Sequence, residues 1–336
     1  MSFLCTRLPV ARSGNPEKIN KMKKYTSISD ITSLSSLIDE ALFLKKNPYN
    51  FQSLGKNKTI VMLFFNPSLR TRLSTQKAAL NLGMEVMVMN ISDDGWALEF
   101  EDGTIMKNTA AEHVKEAAQV ISQYCDILAI RTFAGLVNKK EDYNEKVMSA
   151  FVKYASVPIV SLESATEHPL QALTDAITVK EHQKKVRPKV VLSWAPHPKA
   201  LPQAVANSFV SVMKLSDVDL VITHPYGYEL HPEISENVSI EYNQEKAFAN
   251  ADFIYTKNWS AYTNYGKVLT TDSDWMINNK KMLLTNSAKF MHCLPVRRNV
   301  VVEDAVIDSK NSLVIEQSNN RTFAAQVVLK KILENG

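Results

Sequence analysis

Apolar positions fall into short, nearly continuous runs separated by stretches in which apolar residues recur at helical spacing. The runs lie at 59–65, 85–90, 126–131, 158–162, 189–195, 219–223, 252–257, 289–294 and 312–315. They are short and rich in β-branched residues, so each is expected to form a strand. The amphipathic stretches, among them 71–82, 110–124, 143–155, 201–213 and 318–334, are expected to be helices. Strands that lack polar alternation are those buried on both faces. Their alternation with helices predicts an α/β fold of mostly parallel sheets flanked by helices. No internal repeat is visible.

Three polar segments follow strand-like runs, where ligands bind in open α/β sheets. The first is Asn66-Pro67-Ser68-Leu69-Arg70-Thr71-Arg72. A strand, a short turn and a helix start form an anion site, because backbone N–H groups at the helix N-terminus lack partners and the helix dipole favours negative charge. The turn has no glycine, so the side chains of Ser68, Arg70, Thr71 and Arg72 are expected to share the work. A guanidinium fork matches phosphate oxygens in bidentate fashion. The second segment is Glu167-His168-Pro169-Leu170-Gln171, with Pro169 in the position of a first helical residue. His168 and Gln171 are three residues apart and both can donate to a single carbonyl oxygen. The third is His292-Cys293-Leu294-Pro295-Val296-Arg297-Arg298. Pro295 keeps Leu294 out of the helical region, so the Cys293 and Leu294 carbonyls are candidates to face a ligand.

Composition narrows the function classes. With 336 residues, the chain suits two domains, each with its own core. Apolar content of 45% and charged content of 22% are ordinary for a globular protein. A net charge of +4 without a long basic run gives no support to nucleic-acid binding. No apolar run approaches the roughly 20 residues of a membrane span. Cys5, Cys125 and Cys293 are odd in number and lack metal-ligand spacing, which fits a reducing cytoplasm and no metal. A dinucleotide-binding dehydrogenase would need a Gly-x-Gly-x-x-Gly turn, and none of the nine glycines forms one. Residues 1–21 lack a signal-peptide core and are read as a disordered leader.

Together, Ser68-Leu69-Arg70-Thr71, His168-Pro169-Leu170-Gln171 and His292-Cys293-Leu294-Pro295-Val296-Arg297 resemble the three motifs of the transcarbamylase (aspartate/ornithine carbamoyltransferase) family, in the same order. The resemblance covers about residues 22–334. It implies a two-domain enzyme with its site in the interdomain cleft. Residues 22–165 plus 318–336 would form a carbamoyl phosphate-binding domain and 166–317 an acceptor domain. It also implies a homotrimer with shared active sites and no cofactor. By the same resemblance, Ser68, Leu69, Arg70 and Thr71 hold the phosphate. Arg131 and His168 polarise the carbonyl, Gln171 and the Cys293 and Leu294 carbonyls hold the carbamoyl NH₂, and Arg297 stabilises charge on the leaving side. Trp96 matches a tryptophan that reaches a neighbouring subunit's phosphate site in the N-acylornithine branch.

The second half lacks the Ser-Met-Gly motif of ordinary ornithine enzymes, and Lys257 would repel a free α-ammonium group. The segment Ser193–Pro202 carries three prolines in seven residues and resembles the proline-rich loop of the N-acylornithine branch, whose second domain is knotted. Glu163, His197 and Lys257 match that branch's acylornithine-binding residues. Acyl choice turns on Ala111, where acetyl-using enzymes carry Glu and succinyl-using enzymes Pro. Ala111 brings no negative charge against a succinyl carboxylate, and Val301 replaces a lysine of the acetyl form. The expected acceptor is N-succinyl-L-ornithine. N-acetyl-L-ornithine is the alternative, and a non-catalytic relative that binds carbamoyl phosphate is a distant one.

Overall fold

The computed structural model describes residues 22–335, so the expected leader at 1–21 lies outside the described residues. In chain order the strands are β1 (Lys24–Tyr25), β2 (Thr59–Phe64), β3 (Glu85–Asn90), β4 (Leu98–Glu99), β5 (Glu112–His113), β6 (Ile127–Arg131), β7 (Ile159–Glu163), β8 (Lys189–Trp194), β9 (Asp219–Thr223), β10 (Ser239–Ile240), β11 (Phe253–Lys257) and β12 (Lys289–Met291). One five-stranded sheet has the order β1-β7-β6-β2-β3, and a second has the order β10-β9-β8-β11-β12. Every pairing in both sheets is parallel. β4 and β5 pair separately as a small parallel sheet. Two parallel-sheet domains flanked by helices are therefore present, as the patterning requires. β6, β7 and all but the first residue of β8 are wholly buried, as central parallel strands must be.

Strand order places the site. In the first sheet the chain runs from β2 outward to β3 and returns on the other side of β2 as β6. In the second it runs from β8 outward through β9 and β10 and returns on the other side of β8 as β11. Each reversal opens a crevice beyond the strand C-termini, where open α/β sheets bind ligands. Phe64 pairs with Arg131, and a register shift between Ile130 and Arg131 sets Arg131 opposite Glu163.

The second crevice is stiffened by satisfied indoles. Trp194 and Trp259 are fully buried. The Trp194 indole N–H donates to the Trp259 carbonyl at 3.0 Å, and the Trp259 indole N–H to the Tyr228 carbonyl at 2.8 Å. Burying a large side chain contributes about 1.5–3 kcal/mol, and a paired N–H avoids the cost of a buried orphan donor. The domains also meet beside the cleft: the Tyr265 hydroxyl donates to Asp142 at 2.8 Å. Gly266, at φ 71°, backs so closely onto the Leu136 carbonyl that no Cβ would fit.

One expected strand is absent. Residues 312–315 make only an isolated bridge from Ser312 to Phe290, and the chain enters the Val314–Leu333 helix at once. A four-residue apolar run suits a strand and a buried helix start equally, and tertiary packing decides here. This 20-residue helix packs on the Arg70–Asn81, Pro169–His182 and Leu34–Lys46 helices.

Candidate active site

The cleft at the two crevices has a volume of about 690 Å³, within the range of small-molecule sites. Pro67, Ser68, Leu69, Arg70 and Thr71 form one wall. The Arg70–Asn81 helix starts there, and its N-cap, Leu69, makes no side-chain cap bond. First-turn N–H groups thus remain for an anion. The Thr71 hydroxyl oxygen accepts from Arg131 Nη1 at 2.9 Å and from Arg321 Nη2 at 2.6 Å. Its own proton stays available to donate. Burial lowers the pKa of the Arg70 guanidinium, a group that stays charged in proteins. Arg72 departs from expectation: its guanidinium bonds Asn90 and lies 4.7 Å over the Phe64 ring, outside the cleft. Two residues along a helix turn the side chain by about 200°, so Arg70 and Arg72 cannot face one ligand.

The ends of β6 and β7 supply the floor. Arg131 Nη1 lies 2.9 Å from Glu163 Oε2, and both side chains are nearly buried. Burial raises the pKa of Glu163, against the pull of Arg131. His168 Nε2 is 3.5 Å from the same carboxylate oxygen, long for a hydrogen bond, which leaves room for a ligand oxygen. Burial, and then the nearby arginines, hold His168 well below the usual histidine range, so the imidazole is neutral at pH 7. Its backbone N–H is anchored to Ser208 Oγ at 2.8 Å, and its buried Nδ1 has no partner. Gln171 is held from both ends: Oε1 accepts from Arg321 Nη1, and Nε2 donates to Asp175 at 2.7 Å. Burial pushes Asp175 up to about 7.

The opposite wall comes from the second domain. His292 is buried and kept neutral by burial. Its Nδ1 accepts from the Leu294 N–H at 2.8 Å, and its own backbone N–H donates to Gln317 Oε1 at 3.0 Å. These bonds hold Leu294 at φ 53°, a left-handed conformation that a bulky residue seldom adopts without outside support. Burial pushes the Cys293 thiol up, so it is a poor nucleophile. Arg297 Nε donates to His197 Nε2 at 3.1 Å. His197 Nδ1 lies 2.9 Å from the Lys199 carbonyl oxygen and 3.1 Å from the Lys199 backbone nitrogen. Burial lowers the His197 pKa, with Lys257 and Arg297 acting in the same direction. Lys257 ends β11, with Nζ 3.2 Å from the Asn258 carbonyl.

The cleft thus gathers Ser68, Leu69, Arg70, Thr71, Arg131, Glu163, His168, Gln171, His197, Lys257, Cys293, Leu294 and Arg297. It also contains residues the sequence reading passed over. Arg321, buried in the middle of the last helix, bonds both Thr71 and Gln171. Phe133 lies 4.6 Å beneath the Arg131 guanidinium. Trp96 and Ala111 are not in this cleft. Trp96 is 58% exposed and donates its indole N–H to Glu112 at 2.9 Å. Exposed Ala111 donates its N–H to the Ala97 carbonyl at 3.0 Å, beside the small β4–β5 sheet. Among the described residues no group of His, Cys, Asp and Glu could hold a metal ion. No described helix is long and apolar enough to cross a membrane.

Comparison with known proteins agrees with this geometry. Residues 23–181 match the model of the aspartate/ornithine carbamoyltransferase carbamoyl-P binding domain, and 202–332 match that of the Asp/Orn binding domain. The chain is 52% identical over 316 residues to N-succinylornithine carbamoyltransferase of Bacteroides fragilis, covering 94% of this chain and 99% of that protein. It is 32% identical over 317 residues to N-acetylornithine carbamoyltransferase of Xanthomonas axonopodis pv. citri, covering 88% and 92%. Acetylornithine transcarbamylase complexed with acetylcitrulline superposes with a TM-score of 0.87 at 31% identity, covering 92% of this chain and 99% of that one. A single-glutamate mutant of N-acetyl-L-ornithine transcarbamylase, complexed with carbamyl phosphate and N-succinyl-L-norvaline, superposes equally well at 0.87, with 32% identity and the same coverage. An anion turn, a neutral histidine and a cationic far wall in one interdomain cleft, on a backbone shared with these proteins, place the chain in the aspartate/ornithine carbamoyltransferase family.

Proposed function

We propose that the protein transfers the carbamoyl group of carbamoyl phosphate to the δ-amine of N-succinyl-L-ornithine, giving N-succinyl-L-citrulline and phosphate, as a step of arginine biosynthesis. The observation that carries this reading is the pairing of a phosphate turn with a wall made of Lys257, His197 and Arg297. A free α-ammonium group would be repelled by that wall, whereas an acylated ornithine keeps only its carboxylate there. The succinyl relative and the succinyl-norvaline complex support a longer, anionic acyl group. Uncharged Ala111 offers that carboxylate no repulsion.

In this reading, Ser68, Arg70, Thr71 and first-turn N–H groups hold the phosphate. Arg131 and His168 donate to the carbonyl oxygen as charge develops, a contribution typically near 2.7–4 kcal/mol per donor. Gln171 and the Cys293 and Leu294 carbonyls hold the carbamoyl NH₂, while Arg297 steadies the leaving side. Glu163, His197 and Lys257 position the acylornithine. The neutral δ-amine attacks the carbonyl carbon, the C–O bond to phosphate breaks, and the amine proton passes to the leaving phosphate. A thiol kept protonated by burial suits direct transfer without an acyl-enzyme. Positioning and electrostatics supply much of the acceleration.

The protein acts as a homotrimer in the cytoplasm. Exposed Leu69, Leu73 and Leu80 on the phosphate-site helix and Met87 on edge strand β3 support a face that a second copy covers. Trp96 would then reach the phosphate site of the adjacent subunit, and the Ala111 segment its acyl pocket. Residues 22–165 plus 318–336 serve the phosphate half and 166–317 the acceptor half. The deciding experiment supplies carbamoyl phosphate with ornithine, N-acetylornithine and N-succinylornithine and measures each citrulline product. Efficient use of N-acetylornithine with none of N-succinylornithine would overturn the acyl choice, and no carbamoyl transfer at all would overturn the activity.

A further inference from the structure

Behind the cleft, one carboxylate oxygen serves two carboxamides. Asp175 Oδ1 accepts from Gln171 Nε2 at 2.7 Å and from Gln317 Nε2 at 2.7 Å. The far end of Gln317, Oε1, accepts the backbone N–H of His292 at 3.0 Å. His292 Nδ1 receives the Leu294 N–H at 2.8 Å. The Gln317 amide has a single orientation: only its nitrogen suits a carboxylate and only its oxygen suits an N–H. Asp175 is 0%, Gln317 1%, Gln171 1% and His292 3% exposed, so bulk water cannot replace any of these bonds. Asp175 and Gln317 are absent from the cleft lining, while the groups they hold belong to it.

We propose that Asp175 and Gln317 are positioning residues that set Gln171 and the His292–Leu294 turn against each other, fixing both walls of the carbamoyl NH₂ pocket at once. This rests on the carbamoyl-transfer reading above. One wall is carried by the Pro169–His182 helix and the other by the turn after β12, and the Val314–Leu333 helix packs against both. Shared bonding through Asp175 Oδ1 means that a displaced Gln317 releases the Leu294 turn and removes one of the two carboxamide donors on Asp175 Oδ1. A misplacement near 1 Å at reacting groups costs on the order of 100-fold in rate. The phosphate turn makes no bond to Asp175 or Gln317 and is linked to Gln171 only through Arg321, while Arg131 holds Thr71 independently, so phosphate recognition is affected least.

The test compares Gln317→Met, close in size but unable to make these bonds, with the wild type. Titration calorimetry should show unchanged affinity for inorganic phosphate and about 10-fold weaker affinity for carbamoyl phosphate. Steady-state kinetics should show kcat down about 100-fold with the KM for the acylornithine little changed. Asp175→Asn, which keeps an acceptor oxygen, should retain at least about ten times the kcat of Asp175→Ala. Wild-type kcat and carbamoyl phosphate affinity in a folded Gln317→Met protein would overturn the proposal, as would equal losses in Asp175→Asn and Asp175→Ala. Should Gln317→Met fail to fold, Gln317→Asn, one methylene too short to span both partners, takes its place with the same readings. A wild-type protein that bound carbamoyl phosphate no better than phosphate would sink the functional reading alone. The relay would then be judged on the Gln171 carboxamide NMR signals, which should broaden in the Gln317 variants if it holds and stay sharp if it does not.

Discussion

The cleft floor is buried and internally paired, whereas the segment around β4 and β5 is exposed and bonds through surface carboxylates. On the floor, Thr71, Arg131, Glu163, His168, Gln171 and Arg321 are each less than a tenth exposed, and most bond one another. Around β4 and β5, Trp96 has a single hydrogen bond to an exposed carboxylate, and Ala111 contributes only its backbone N–H. The floor is a device completed within one chain, since its polar groups already fix each other's orientation before a ligand arrives. The exposed segment has its chemistry facing outward, which suits completion by a second copy. In the proposed function, the contrast separates groups completed within one subunit from groups that a neighbouring subunit supplies.

The sharpest way to break this contrast is at the anion turn. Arg70→Ala should weaken carbamoyl phosphate binding about 100-fold without loss of fold, since a charge-assisted hydrogen bond is worth up to about 3 kcal/mol. Calorimetry with a melting curve checks both, and near-normal binding would remove Arg70 from the site. Ala111 in the exposed segment should behave differently, changing preference rather than competence. Ala111→Glu should cut N-succinylornithine turnover by about 10-fold or more and raise that of N-acetylornithine, because like charges repel more where the effective dielectric is near 20 rather than 80. Parallel assays of both acceptors decide it, and equal losses on both would show that the segment does not discriminate.

Complementation sharpens the comparison further. Trp96→Ala and Arg70→Ala subunits, each weak alone, should recover about one quarter of wild-type activity in random hybrids, because some sites then combine an intact floor with an intact neighbouring Trp96. Verified hybrids without recovery would confine Trp96 to its own subunit. The smallest effect lies at the edge of the floor, next to His168. Glu167 accepts from Ser208 at 2.5 Å and from Ser27 at 3.1 Å, and burial pushes it from 4.5 up to about 7. The folded protein therefore holds a proton at pH values where the unfolded chain has lost it. The cost of ionising Glu167 is absent below pH 4.5 and complete above about pH 7. Glu167→Gln should raise Tm by about 2 °C at pH 8 and by less at pH 5. An equal gain at both pH values would deny that burial sets this carboxyl.

Much of the floor was legible from the chain, because its motifs follow buried strands and strand ends in parallel sheets are where ligands sit. Ser68, Arg70, Thr71, His168, Gln171, Cys293 and Arg297 declare themselves by that context. Arg321 does not: it lies in Glu316-Gln317-Ser318-Asn319-Asn320-Arg321, which reads as a solvated helix face. Only the packing of that helix against three others turns Gln317, Asn320 and Arg321 inward. Arg72 errs the other way, being adjacent in sequence and opposed in space. The segment 312–315 was misread because its apolar run carries no periodicity long enough to separate strand from helix.

Arg321 also sets an order in time. Its partners Thr71 and Gln171 leave the ribosome early, and the residue that ties them together follows only near the end of synthesis. A chain stopped at Leu313 would carry every motif that identifies the site while lacking the guanidinium that bonds Thr71 to Gln171. It would also expose the faces of three helices that the last one covers. The tie between Thr71 and Gln171 and the closure of the core therefore arrive together, at the end of the chain.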